Sequence, residues 1–282
     1  LFGITGSEAP LFVFEPAWTS ASIVATNPLA GALTRVTVTF KMTSCDFPPG
    51  SRVSVRGLRG SQTGTTSSLT VAEASTDGGG SSVADSLATS ASFEREYGVL
   101  VLTFATTGTK GYSFIASVIL TNGEDTQDAP DLNMTASLSP PSGGAYDSPL
   151  PQLDITGASS SLYGVTDATR PLRVFRAAFV DSISDQTTPY QALNNVIRVT
   201  ITPNINLPAD TTFTLNGMTG LDTQDSGPIK LTPSGDPGAV LNETAQFNQT
   251  AATLTFLVTS DMTAGQPYYF TFIVKNPGSL FD

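Results

Sequence analysis

Histidine is absent from this chain of 282 residues, and cysteine occurs once, at Cys45. Lack of histidine removes the commonest general base near neutral pH and the commonest transition-metal ligand, and it excludes a Ser-His-Asp triad. A lone cysteine excludes an intrachain disulfide and a zinc cluster. It leaves Cys45 as either a small buried hydrophobe or an exposed thiol able to link two chains. No apolar run approaches the roughly 18 residues of a membrane span. Residues 1–15 lack the basic lead and continuous apolar stretch of a secretion signal, so the sequence reads as a processed chain. Charge is scarce too, at 13% of residues, against about 25% in ordinary soluble domains. With 24 acidic and 13 basic residues the net charge is −11, and the scattered lysines and arginines argue against nucleic acid as a partner.

What is present is alternation. TRVTVTF (34–40), SRVSVRG (51–57), GVLVLTF (98–104) and FIASVILTN (114–122) switch between β-branched or aromatic residues and polar ones, bounded by Gly, Pro or Asn. That period of two predicts strands. VIRVTIT (196–202), TTFTLNG (211–217), ATLTFLV (252–258) and YYFTFIVKN (268–276) follow in the same order. No stretch sustains a 3.6-residue period, so the expected fold is all-β.

The two sets are copies. PLFVFEPAW from Pro10 matches PLRVFRAAF from Pro171, RVTVTF from Arg35 matches RVTIT from Arg198, and DFPPGSRVSVRGLRG from Asp46 matches NLPADTTFTLNGMTG from Asn206. Later matches keep the order up to Asn122 and Asn276. Repetition at this spacing predicts two tandem antiparallel β-sandwich domains of immunoglobulin-like build. The expected division is a first repeat over 1–138, a Pro/Gly/Ser-rich linker over 139–152 and a second repeat over 153–282.

The ends of the copies differ. After Asn122 the first continues through DLNMTASL and PLPQLDITG, whereas the second has only PGSLFD after Asn276, so its last strand has no counterpart. FGITG (2–6) resembles LDITG (153–157). An incomplete sandwich leaves an apolar groove and unpaired backbone, and a free segment can add itself there as a strand. One expectation is therefore that LFGITGSEAPLFVF, through Leu1, Phe2, Ile4, Leu11, Phe12 and Phe14, contacts the next subunit and propagates head to tail. The other is that residues 1–15 pair within their own domain.

Signs of chemistry are few. Three sequons, at Asn133, Asn242 and Asn248, are expected near turns and accessible to N-linked glycans, and Ser139, Pro140 and Pro141 to O-linked ones. Glu124, Asp125, Asp128 and Asp131 cluster as weak calcium candidates, with no defined loop spacing; a solvated acidic loop is the plainer reading. Glu94 and Glu96 form an acidic pair with no counterpart in the second copy, where Asn-Gln-Thr stands. Trp18 and the phenylalanines are expected in the core, and of the consecutive Tyr268 and Tyr269 one must face outward. No cofactor is expected beyond covalent glycans, and no catalytic residue is assigned.

VIRVTITPNINLPADTTFTLNGMTG, with ATLTFLV and YYFTFIVKNP, resembles a repeat of large secreted surface proteins of algae and other protists. It is also similar to protomers of glycosylated extracellular fibrils of freshwater microorganisms. The first copy departs from the pattern with PPG and TNG. The resemblance implies an extracellular structural subunit of a helical filament, partnered by copies of itself. The alternatives are an adhesin or carbohydrate-binding module, needing an outward aromatic cluster or a calcium loop, and thirdly an enzyme acting on polysaccharide.

Overall fold

The computed structural model describes residues 4, 16–73, 86–139, 148–155, 157, 159–223, 227–234 and 240–279. It divides the chain into two compact units, Leu1–Arg176 and Ala177–Asp282. Every regular element among the described residues is a strand, as the alternation requires.

In the first unit the strands are β1 (Ser20–Ala25), β2 (Leu33–Lys41), β3 (Arg52–Arg56), β4 (Thr66–Thr70), β5 (Ala72–Glu73), β6 (Ser90–Glu94), β7 (Val99–Thr103), β8 (Ser113–Thr121), β9 (Leu132–Leu138), β10 (Ser148–Pro149) and β11 (Leu153–Ile155). One sheet runs β1-β2-β8-β5 and the other β10-β9-β3-β7-β6-β4, with β11 also on β9. All ladders are antiparallel. The period of two is visible in β2, where Thr34, Val36, Val38 and Phe40 are buried while the residues between them are not. Between the sheets, Phe40, Phe47, Phe104 and Phe114 form a contiguous aromatic cluster, with Phe47 and Phe104 stacked at 4.5 Å.

The second unit holds β12 (Phe179–Gln186), β13 (Asn194–Pro203), β14 (Thr212–Asn216), β15 (Ile229–Lys230), β16 (Thr232–Ser234), β17 (Thr244–Asn248), β18 (Thr253–Leu257) and β19 (Tyr268–Lys275). Its sheets run β12-β13-β19-β16 and β14-β18-β17-β15. Strand for strand this is the order β1-β2-β8-β5 and β3-β7-β6-β4 of the first unit. Loop contacts repeat as well. The bridges Phe47 to Gly108 and Leu87 to Phe104 recur as Leu207 to Met262 and Leu241 to Val258. Asp46 Oδ1 accepts from the Lys110 N–H at 2.8 Å, and Asn206 Oδ1 from the Ala264 N–H at 2.8 Å. Both copies of the Gly-x-x-Gly loop keep positive φ at Gly57, Gly60, Gly217 and Gly220.

The division between units does not fall at the Pro/Gly/Ser-rich stretch. Residues 140–147 lie outside the described residues, but Leu150, β10 and β11 return to β9, and the Leu150 N–H donates to Ala136 O at 2.7 Å. Ile155 and Leu172 are buried in the first unit's core. Val174 and Gln127 exchange both backbone hydrogen bonds at 2.9 Å. The described residues of 153–176, which by sequence open the second copy, therefore complete the first unit. The physical reason is that their apolar positions seal a side that β9 and the loop before it leave coverable.

Candidate functional site

Among the described residues the first unit has a strand, β9, with no counterpart in the second. β9 lies on the free edge of β3 (Val53 opposite Ala136, Val55 opposite Met134) and sends Leu132, Met134, Ala136 and Leu138 into the core. Across the mouth between the sheets, Gly157 bridges Ile23 of β1 in parallel, and the Ala25 N–H donates to Thr169 O at 2.7 Å. That side of the first unit is closed.

On the same side of the second unit, β14 pairs with β18 and, among the described residues, with no strand on its other edge. β12 is exposed at every position. Between them opens a groove of about 510 Å³, walled by Phe179 and Ser182–Ser184, floored by Ile197, Val199, Ile201, Phe256, Phe272 and Val274, and bounded opposite by Phe213–Thr219 and Leu221. Aromatic contacts carry the floor outward: Phe256 lies 5.4 Å from Phe213, and Phe213 lies 5.6 Å from Phe179 at the rim.

Position by position, residues sealed in the first unit are open in the second. Val55 and Leu58 are fully buried, whereas their counterparts Leu215 and Met218 are only partly so. Ile23, buried opposite Val38, is replaced by Ser184, exposed at the matching ladder position opposite Val199. Gly57 and Gly217 share their conformation, but a Cβ on Gly57 would strike the Asp131 carbonyl at the entry to β9, while one on Gly217 meets nothing within 4 Å. What the arrangement can do chemically is accept an extended segment, which would satisfy bare strand edges and cover apolar floor in one step.

The residues singled out from sequence fall in several places. Leu1, Phe2, Leu11, Phe12 and Phe14 lie outside the described residues, as do Pro140 and Pro141. Ile4 packs at the margin of the first unit's core. Ser139 is partly buried, its N–H donating to Ser51 Oγ at 3.0 Å. Asn133 is not at a turn: it sits inside β9, its Oδ1 buried without a hydrogen-bond partner. Asn242 and Asn248 do lie where chain direction changes. Asn242 Oδ1 accepts from the Thr244 N–H at 3.4 Å, and Asn248 Oδ1 from the Ala251 N–H at 2.8 Å. Glu124, Asp125, Asp128 and Asp131 are exposed and do not converge; Asp128 pairs with Arg173. No group of three or more His, Cys, Asp or Glu side chains that could hold a metal occurs among the described residues.

Cys45 is free and fully buried, its Sγ 3.7 Å from Met42 Sδ, so of the two alternatives it is the small buried hydrophobe. Burial pushes its pKa up; the Ser44 hydrogen bond opposes this, Asp46 adds to it, and Lys110 opposes it. Trp18 joins the Phe40 and Phe47 cluster and donates Nε1–H to Pro151 O at 3.0 Å. Tyr268 is buried and Tyr269 exposed, as strand geometry demands. Glu94 and Glu96 are both exposed; Glu94 shares a shallow depression with Arg56 and the exposed Tyr97 on the outer face of the first unit.

The β12 wall was not singled out from sequence. Its signal lay in FVDSISDQ, where Ser184 and Gln186 replace the inward Ile23 and Ala25 of the first copy.

No protein-family model and no curated protein matches this sequence. Among solved structures, the chain is similar to the serine-rich repeat protein Srr2 from Streptococcus agalactiae, at 9% identity and a TM-score of 0.25 over 91% of this chain and 84% of that one. The serine-rich repeat adhesion glycoprotein Srr1 from the same organism is similar at 10% identity and a TM-score of 0.24, over 93% and 89%. The collagen adhesin CNA from S. aureus is similar at 13% identity and a TM-score of 0.23, over 92% and 81%. Scores this low carry no argument about function, which rests on the groove itself.

Proposed function

We propose that this chain is a structural subunit of an extracellular or cell-surface assembly, whose second unit is completed by an extended segment bound between β12 and β14. The observation that carries the reading is the contrast between the β3 edge, covered by β9, and the uncovered β14 edge above an apolar groove. A heterologous contact of this kind does not close on itself, so joining copies through it builds a head-to-tail filament. The scarcity of charge, the single buried cysteine and sequons at Asn242 and Asn248 fit a secreted, glycosylated chain, coated with N-linked and, around Ser139, O-linked glycans. The role is non-enzymatic: the acidic pair at Glu94 and Glu96 is exposed and faces no enclosed cavity.

The test is sedimentation velocity and negative-stain microscopy of the intact protein beside Leu215→Asp, whose carboxylate would stand in the groove wall. Association by the intact chain that is lost in the variant, with β-sheet circular dichroism unchanged, is the expected result. Monodisperse monomers from the intact chain at all concentrations would overturn the filament.

A second reading, an adhesin or carbohydrate-binding module, is favoured by Tyr97, which is 57% exposed beside Arg56 and Glu94. A ring flanked by charged hydrogen-bonding groups suits a sugar face. Retention on a glycan array that disappears with Tyr97→Ala would support it.

A further inference from the structure

Resting on the reading of a carbohydrate-binding face around Tyr97, we infer the class of saccharide that face takes: an acidic one, whose carboxylate or sulfate groups are held by Arg56 and Arg59 while its rings lie against Tyr97. The site is on the outer face of the first unit's larger sheet. Leu132, Met134 and Ala136 of β9 are buried in the core, so Asn133 and Thr135 between them face outward. Asn133 stands opposite Arg56 of β3, and Glu94 of β6 opposite Val99 of β7. Across this row run two depressions, of about 720 and 490 Å³, that share Arg56, Tyr97 and Val99. Thr65–Ser67, Ser92 and Glu94 bound the first, and Arg59, Asp131 and Asn133 the second. Tyr97 thus stands between two adjoining hollows, an arrangement that suits consecutive units of a linear chain better than one compact molecule.

The platform is fixed by its backbone. The Leu58 N–H donates to Gly98 O at 2.9 Å and the Arg95 N–H to Thr65 Oγ1 at 3.1 Å, which ties the β6–β7 turn to the Gly-x-x-Gly loop and to the segment before β4. A Cβ on Gly98 would stand 2.4 Å from the Leu58 carbonyl carbon, so the turn that carries Tyr97 lies flat on that loop. The second unit keeps this frame with other side chains. There the Met218 N–H donates to Ala252 O at 3.1 Å, which puts Ala251 where Tyr97 stands, and Asn248 faces Thr253 as Glu94 faces Val99. In the shared loop Asn216 and Thr219 take the places of Arg56 and Arg59. The fold therefore requires neither the tyrosine nor the arginines at these positions, and their presence together in one copy points to a ligand.

Charge names the class. The chain carries 24 acidic residues against 13 basic ones, yet among the described residues neither the Arg56 nor the Arg59 guanidinium makes an ion pair or a side-chain hydrogen bond. Two exposed forks left open on one depression match the oxygens of carboxylate or sulfate in bidentate geometry. The remaining polar groups suit hydroxyls. Glu94 in one depression and Asp131 in the other are exposed acceptors, and Asn133 Oδ1 is buried without a hydrogen-bond partner, an acceptor that a sugar hydroxyl would satisfy. A net charge of −11 repels polyanions from the molecule as a whole, so capture of one has to be local to this face.

Affinity electrophoresis tests the class. The intact protein is run in native gels containing polygalacturonate, dextran sulfate or neutral dextran, beside Tyr97→Ala, Arg56→Asn and Arg59→Thr chains. These variants carry the residues that the second unit uses on the same frame, and unchanged circular dichroism checks their folding. The expected result is retardation by a polyanion, falling with added salt, whose Kd weakens by about tenfold or more in Arg56→Asn and in Tyr97→Ala. Retardation by polygalacturonate alone assigns the group as carboxylate, by dextran sulfate alone as sulfate, and by both as either one read through its charge. Retardation by neutral dextran that is lost in Tyr97→Ala and unchanged in Arg56→Asn would overturn the acidic class while leaving the carbohydrate-binding reading. Polyanion binding unchanged in all three variants would overturn the site. No retardation by any of the three polymers, with nothing retained on a glycan array, would overturn the carbohydrate-binding reading as well. A glycan found covalently attached to Asn133 in protein from its natural source would also overturn the inference, since that sugar would fill the second depression itself.

Discussion

At the scale of single residues the sequence is most legible where side chains have one role. Cys45 behaves as a small hydrophobe. Because burial raises its pKa, the folded state favours the thiol, so its contribution to stability is complete below the pKa of an unfolded cysteine, about 8.5, and is lost as pH rises through the folded value. Iodoacetamide should leave Cys45 unmodified in the native protein at pH 8 and label it fully in denaturant; rapid native labelling would contradict the burial. Gly57 and Gly217 show what residue type alone conceals. Replacing Gly217 with Ala should cost only the left-handed strain of roughly 1–2 kcal/mol. Gly57→Ala adds a collision with the Asp131 carbonyl and should cost more, read as a larger fall in denaturant midpoint. Asn122 and Asn276 were noticed only as places where the repeat ended. Their role, holding a loop by two backbone carbonyls, depends on partners more than eighty residues away. Losing such a buried group costs about 1–3 kcal/mol, and Asn276→Ala should in addition loosen the loop that carries Tyr190.

At the scale of elements, eight strands, β2, β3, β7, β8, β13, β14, β18 and β19, were readable within a residue or two, since alternation of β-branched and polar residues is a local signal that burial on one face enforces. Short strands such as β5, β10, β15 and β16 were not, because two or three residues carry no period. β9 separates the units energetically. Met134 is fully buried on it, so Met134→Ala should cost about 2–5 kcal/mol. Leu215→Ala, on the open β14 edge, should cost less in the isolated chain, and thermal melts of the two variants measure the difference. Hydrogen exchange gives the backbone counterpart: amides of β3 between two partner strands should be protected, while the outward amides of β14 exchange fast until assembly protects them. Equal protection of β3 and β14 in the monomer would mean that β14 is already covered.

At the scale of the whole molecule the duplication organises everything else. Among the described residues the second unit lacks the closure of the first, and it should melt at lower temperature, giving two calorimetric transitions of which only the lower one rises on assembly. Glycans on Asn242 and Asn248 should be released from native protein by amidase, with a mass loss for each; Asn133, within β9, should be released only after unfolding if it carries one.

By itself the sequence determined an all-β chain of two related sandwiches, because a period of two and an ordered internal repeat are written locally and need no knowledge of distant contacts. Only the tertiary structure decided where the copies divide, since a segment such as 153–176 can be apolar on one face while the sequence is silent on which core it seals. The structure likewise decided that the acidic cluster does not converge and that Asn133 lies in a strand. It also located the open side between β12 and β14, for a groove is a relation between strands far apart in the chain and exists only once they are brought together.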